Sequence, residues 1–265
     1  MLARIDPSGY NTDKPGFRVY FDNYEKWFET VVDKEIKLLE LGVNRGGSLQ
    51  LWRDYFKHGT IVGVDIVPVK VEDTSGRIHV FQGMQQDTAL LDRIAKETAP
   101  DGFDVIIDDC AHIGEFSHIS FWHLFEKHLK PGGIFAIEDW GTGYWGRWAD
   151  GTRYKDPPSV ATWRSRLRPF AENLHASARI RSMPRVLRIV GAAMNHLVRQ
   201  KFPSHQFGMV GFIKQLVDEC GMDDITIPEW GMPPYRPSRF QSMQISHGQV
   251  FIIKAPLRSI QRNSP

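Results

Sequence analysis

An α/β fold built on a mostly parallel sheet follows from three features of the sequence. Strand-like and helix-like patterns alternate through the first half, a glycine-rich turn follows the first strand, and apolar runs end on acidic residues. Residues 37–41 read as the first strand, 49–56 as a helix, 61–65 as a second strand, and 78–81 as a third. A helix over 90–97, a strand over 105–107, a helix over 116–128 and a strand over 134–137 continue the pattern, with Pro131-Gly132-Gly133 as the turn before that last strand. The run Val105-Ile106-Ile107 is β-branched without alternation, as expected of a strand buried on both faces. Beyond residue 205 the pattern resumes with a helix over 211–220 and an antiparallel hairpin over 242–254 that turns at His247-Gly248 and closes the sheet.

The 265 residues, 42% of them hydrophobic, suffice for one large domain with an insertion, and no disorder signature covers them. Two cysteines, Cys110 and Cys220, make no disulfide framework, and the opening MLARIDPSGY lacks the basic and apolar regions of a signal peptide. A reducing, cytoplasmic setting is therefore expected. No stretch approaches the roughly 20 apolar residues of a membrane span.

A net charge of +2 conceals an asymmetric distribution. Residues 151–205 carry eleven lysines and arginines against only Asp156 and Glu172, so the remainder is acidic. Within a basic insertion over 150–205, one amphipathic helical stretch runs over about 184–200, with Val186, Ile189, Val190, Ala193, Met194 and Leu197 on one side. The insertion suits an acceptor lid, an interfacial helix on an anionic membrane carrying a lipid-linked substrate, a solvated face or a subunit contact. Nucleic acid is disfavoured, because aromatic residues such as Trp163 and Phe170 are too few to be interleaved with the arginines as a stacking groove requires.

The stretch LLELGVNRGGSLQLW at 38–52 places Gly42, Gly46 and Gly47 between a strand and a helix, where backbone N–H groups approach a ligand closely. Its spacing lacks the G-x-G-x-x-G arrangement that suits a dinucleotide pyrophosphate, which ranks a dehydrogenase below the other readings. Asp65 ends the second strand where an acid accepts hydrogen bonds from ribose hydroxyls. Glu40, just before the first glycine, suits a free amino group. A ligand with a ribose, a cationic amino group and no phosphate is S-adenosyl-L-methionine.

The order of these motifs resembles that of class I S-adenosylmethionine-dependent methyltransferases, a Rossmann-like fold, and within them the macrocin and mycinamicin family of sugar O-methyltransferases. The resemblance rests on Thr12-Asp13-Lys14 with Tyr24-Glu25, LELGVNRGGSLQLWRDYF, GVDI, QGMQQD, FDVIIDDCAH, LKPGGIFAIEDW and TGYWG, covering about residues 10–148. The final hairpin matches more loosely, and residues 150–205 carry no resemblance. It implies one methyltransferase domain over 1–265, with residues 1–30 as an arm over the cofactor. It further implies cofactor contacts at Thr12, Lys14, Glu40, Gly42, Asn44, Gly46, Ser48, Asp65, Gln85, Asp87 and Asp108, a divalent metal, usually magnesium, and a sugar hydroxyl as acceptor on a larger natural product or glycoconjugate. Relatives are often oligomers, so a homo-oligomer is expected. Cys110, Ala111 and Met84 depart from the usual glycine, serine and aspartate at those motif positions.

The strand ends supply the chemistry. Neighbouring parallel strands lie about 4.8 Å apart, so Asp108-Asp109 and Glu138-Asp139 converge on one point. Three carboxylates, Asp109, Glu138 and Asp139, suit Mg²⁺, while Asp108 points the other way. His112 is the expected general base, taking the hydroxyl proton as the oxygen attacks the sulfonium methyl. Tyr24 near the front, and Trp140, Thr142, Tyr144 and Trp145 after the acidic pair, together with Trp148, are expected to shape the acceptor site. His118, His123 and His128 lie five residues apart, share no helical face, and are read as structural rather than as a metal site. A catechol-type O-methyltransferase and a non-catalytic cofactor-binding scaffold of the same fold are the rival readings; the first would more usually carry a lysine at the place of His112.

Overall fold

The computed structural model describes residues 4–14, 18–155 and 204–256, together with 169, 170, 186, 189, 190 and 193. Two compact units divide the chain, one of Met1–Thr152 with Gln206–Pro265 and one of Arg153–His205. The larger is built on seven strands: β1 (Lys37–Leu41), β2 (Thr60–Asp65), β3 (Ile78–Gln82), β4 (Phe103–Asp108), β5 (Leu129–Ile137), β6 (Phe240–Ser246) and β7 (Gln249–Lys254). They lie in the order β3-β2-β1-β4-β5-β7-β6, the first five running parallel and β7 antiparallel to both its neighbours, β5 and β6. Chain order reverses between β1 and β4, so the ends of those two strands form the crevice where such sheets bind ligands.

Helices cover both faces. α1 (Arg18–Phe28) and α2 (Gly47–Tyr55) pack on one, where Leu38, Val105, Ile107 and Phe251 meet Phe28 and Trp52. α3 (Thr88–Thr98), α4 (Gly114–Lys127) and, beyond the short α5 (Ala149–Arg153), α6 (Gly208–Cys220) pack on the other, where Leu39, Leu41, Ile106 and Phe135 meet Phe121 and Phe212. Val105 and Ile107 face one layer and Ile106 the other, which explains the unbroken apolar run.

Local chemistry sets the element ends. α3 starts two residues before the expected position because the Asp87 carboxylate caps it, accepting from Leu90 N at 3.0 Å. α2 starts at Gly47 after Gly46, whose φ of 81° suits glycine. The Pro131-Gly132-Gly133 turn lies inside β5: the register steps from Phe103↔Leu129 to Val105↔Ile134, so the turn is a bulge in the strand. The hairpin turns at His247-Gly248 as the sequence predicts, with His247 at φ 49°.

Of the amphipathic stretch over 184–200, Val186, Ile189, Val190 and Ala193 are helical and exposed; the rest of that expectation lies outside the described residues. Among the described residues, no helix is long and apolar enough to cross a membrane.

Phe251 joins the arm helix to the sheet. Its ring is fully buried, stacked on Trp27 with centroids 5.6 Å apart and edge-on to Tyr24 at 5.4 Å. Phe251→Ala is expected to lower the unfolding free energy by about 3–5 kcal/mol in urea titrations. A cost below about 1 kcal/mol would show that α1 does not depend on this packing.

Candidate active site

Gly42 leaves β1 with φ 83°, and a Cβ there would lie 2.2 Å from the backbone oxygen of Asp109. Only a glycine lets the loop pass this close to the end of β4. Asp65 holds the loop, its Oδ2 accepting from Val43 N at 3.0 Å and Asn44 N at 2.9 Å, and its Oδ1 from Val67 N at 3.1 Å. A Cβ on Gly47 would strike the backbone oxygen of Asn11 at 2.2 Å, so the arm lies directly on the start of α2.

Behind the loop, a single cation gathers the acids. Lys14 Nζ donates to Glu138 Oε1 at 2.8 Å and Asp109 Oδ2 at 3.0 Å, and lies 3.3 Å from Glu40 Oε1. Glu40 is fully buried and also accepts from Ser48 Oγ at 2.6 Å and Trp52 Nε1 at 3.3 Å. Tyr24 donates its hydroxyl to Glu138, and Tyr20 donates to Asp139 Oδ1 at 2.7 Å. Burial works against the Lys14 charge, but Asp109, Glu138 and Glu40 outweigh it and hold the ammonium well above its ordinary range. Burial, with Glu138 beside it, pushes the Asp109 carboxyl well up, and burial raises Glu40 despite Lys14.

On the open side, Asp109, His112 and Asp139 bring one ligand atom each to within 4.8 Å of one another. His112 Nε2 lies 3.9 Å from both Asp109 Oδ1 and Asp139 Oδ2, and its ring stands edge-on to Trp148 at 5.1 Å. His112 at φ 50° and Asp139 at φ 54° adopt left-handed conformations that side-chain-bearing residues rarely hold, a strain that concentrates at functional sites. The Thr142 hydroxyl donates to the Asp139 carbonyl at 2.8 Å, and Asp150 caps α4, accepting from Gly114 N at 2.8 Å two residues beyond His112.

These groups share one cleft of about 550 Å³. Thr12, Gly42, Asn44, Ser48, Asp65 and Gln85 line one part, and Asp109, His112, Asp139 and Trp148 another. Glu40, Gly46, Lys14 and Glu138 stand behind the lining, with Glu40 and Glu138 engaged by Lys14. Asp87 is the α3 cap, and Asp108 is buried with Gln85 Nε2 on its two oxygens at 3.1 and 3.2 Å. Tyr24 and Thr142 are fully buried, Trp140 donates to His247 O at 3.0 Å, Tyr144 is half-buried and Trp145 is exposed, all outside the lining.

Tyr20, Asn11 and Asp150 escape sequence reasoning. Tyr20 and Tyr24, four apart on one helical face, carried a signal for the first; Asn11 and Asp150 carried none. As to fit, the cleft of about 550 Å³ bordered by Gly42 and Asp65 has room for a nucleoside, and the carboxylates of Asp109 and Asp139 beside an imidazole are a donor set for a divalent ion.

No protein-family model matches the chain. Mycinamicin VI 2''-O-methyltransferase of Micromonospora griseorubida is 40% identical over 146 residues, which are 52% of this chain and 36% of that protein. The MycE methyltransferase of the mycinamycin biosynthetic pathway, solved in complex with Mg and SAH, superposes with a TM-score of 0.64 at 27% identity over 94% of this chain and 52% of that one. The chain has a class I methyltransferase fold and resembles the sugar O-methyltransferases of the macrocin and mycinamicin type. Demethylmacrocin O-methyltransferase of Streptomyces fradiae, 37% identical over 146 residues that cover 52% of this chain and 36% of that protein, agrees. The chain spans little more than a third of the curated relatives it matches.

Lys14→Met leaves buried carboxylates without their cation and is expected to cost about 3–5 kcal/mol of stability near pH 8. Asp109 and Glu40 bind protons more tightly folded than unfolded, so the cost shrinks as pH falls through their raised folded values towards the ordinary carboxylate range. Chemical denaturation at several pH values measures this; a cost independent of pH would contradict it.

Proposed function

We propose that the chain is an S-adenosylmethionine-dependent, Mg²⁺-dependent O-methyltransferase that methylates a sugar hydroxyl of a natural product or glycoconjugate. The observation that carries the reading is the single cleft joining the Gly42 loop and Asp65 to Asp109, His112 and Asp139. The solved relative with Mg and SAH, and the names of the curated relatives, support it.

Asp65 and the loop orient the adenosyl group, and Gln85, fixed by Asp108 and by Ala111 N at 3.0 Å, borders the same space. Asp109 and Asp139 would hold the divalent ion, with Glu138 behind them fixed by Lys14 and Tyr24. When bound there, the ion lowers the pKa of an acceptor hydroxyl. His112 takes the hydroxyl proton at Nε2 as the oxygen bonds to the methyl carbon and the carbon–sulfur bond breaks, leaving S-adenosylhomocysteine. Lys14 is 3.0 Å from Asp109 but fully buried behind the cleft, so the base that faces the acceptor is the imidazole, which favours a sugar over a catechol acceptor. Trp148 beside His112, with Trp145 exposed 6.5 Å from it, offers apolar faces for a sugar ring.

Methyl transfer to a panel of deoxysugar, mannoside and catechol acceptors tests this. Sugar turnover is expected, abolished by EDTA and restored by Mg²⁺. His112→Gln is expected to lower kcat by about 10²–10⁴ while calorimetric affinity for S-adenosylhomocysteine holds. Turnover indifferent to both EDTA and His112→Gln would overturn the proposal.

A further inference from the structure

Asp92 stands on α3, His123 in the last turns of α4, and His128 one residue past its end. On a continuing helix, side chains five residues apart diverge by about 140°. The helix stops at Lys127, however, and His128 at φ −123°, ψ −8° turns its ring back. Its Nε2 lies 2.6 Å from Asp92 Oδ1, and His123 Nε2 lies 2.7 Å from the same oxygen. The expectation that these histidines form no metal-type cluster therefore fails for two of the three, because a helical-face argument ends where the helix does. His118 stays apart, its ring edge-on to Phe212 at 5.7 Å.

We propose that Asp92, His123 and His128 bind a transition-metal ion of the Zn²⁺ class, at a site separate from the strand-end acids. Two imidazoles and one carboxylate suit Zn²⁺, Co²⁺ or Ni²⁺ rather than Mg²⁺. The three donor atoms already lie within 4.8 Å of one another. A tetrahedral ion with bonds of about 2.0–2.1 Å spaces its ligand atoms about 3.3 Å apart, so lengthening each N···O contact by roughly 0.7 Å seats it. The imidazoles are held in place, with side chains 10% and 18% exposed, whereas Asp92 is 47% exposed and leaves a fourth position to water. The competing cation, Lys127 Nζ at 4.0 Å from Asp92 Oδ2, is 58% exposed and free to swing aside.

Placement assigns the ion a structural role. Phe103 N at the start of β4 donates to His128 O at 2.7 Å, so the cluster sits at the opposite end of that strand from Asp109, on the order of 20 Å away. There the ion would clamp α3 to the end of α4 without touching the cleft.

The test is calorimetric titration of Zn²⁺ into the full chain carrying Asp109→Asn and Asp139→Asn, which disables the strand-end cluster. One equivalent is expected to bind, with affinity falling at least ~100-fold when His123→Gln and His128→Gln are added. In the unsubstituted chain, Zn²⁺ is expected to shift the side-chain ¹⁵N resonances of His123 and His128, a readout that needs no variant to fold. Absence of binding in the Asp109/Asp139 background, binding that survives loss of both histidines, or unmoved His123 and His128 resonances would each overturn the proposal.

Discussion

One ammonium group, that of Lys14, makes the acidic end of this sheet possible. Glu40 lies one residue from the end of β1, where both faces of the sheet are covered, and it is fully buried. Glu138 and Asp109 end neighbouring strands within reach of the same point. Burying such charges together is costly unless a counter-charge is buried with them, and Lys14 contacts all three. Because Lys14 belongs to the arm before α1, the same contacts fasten the arm to the sheet, and Tyr20 and Tyr24 of α1 add hydrogen bonds to the second acidic pair.

That arrangement sorts the acids into two sets. Behind the cleft, Glu40 and Glu138 are engaged by protein donors and hold the framework. Facing it, Asp109 and Asp139 flank His112, with two of the three residues in strained left-handed conformations. Such strain persists only where the surroundings fix it. Here Thr142 binds the backbone of Asp139 and Asp150 anchors the helix that follows His112, so these side chains are set by rigid elements on each side.

The architecture was largely legible because strand burial and glycine turns are local properties. All seven strands and the His247-Gly248 turn follow from apolar runs and their punctuation. That the glycine loop, Asp65, Asp109, Asp139 and His112 border one cleft is legible because strand ends of a parallel sheet must meet. What was not legible depends on partners distant in sequence. Lys14 finds Asp109 and Glu138 across 95 and 124 residues, and no spacing encodes that. An acid after a strand, as at Asp87, reads equally as a helix cap and as a cofactor contact, and the structure shows the cap. Periodicity placed His123 and His128 on different faces, and the end of α4 brought them together.

The most direct measurement is diffraction from crystals of the full chain grown with S-adenosylhomocysteine and Mn²⁺, recorded at the manganese absorption edge. An anomalous peak is expected against Asp109 and Asp139 beside His112, with adenosyl density against Gly42 and Asp65. A cleft with neither the anomalous peak nor nucleoside density would contradict it, returning the strand-end acids to a purely structural role around Lys14.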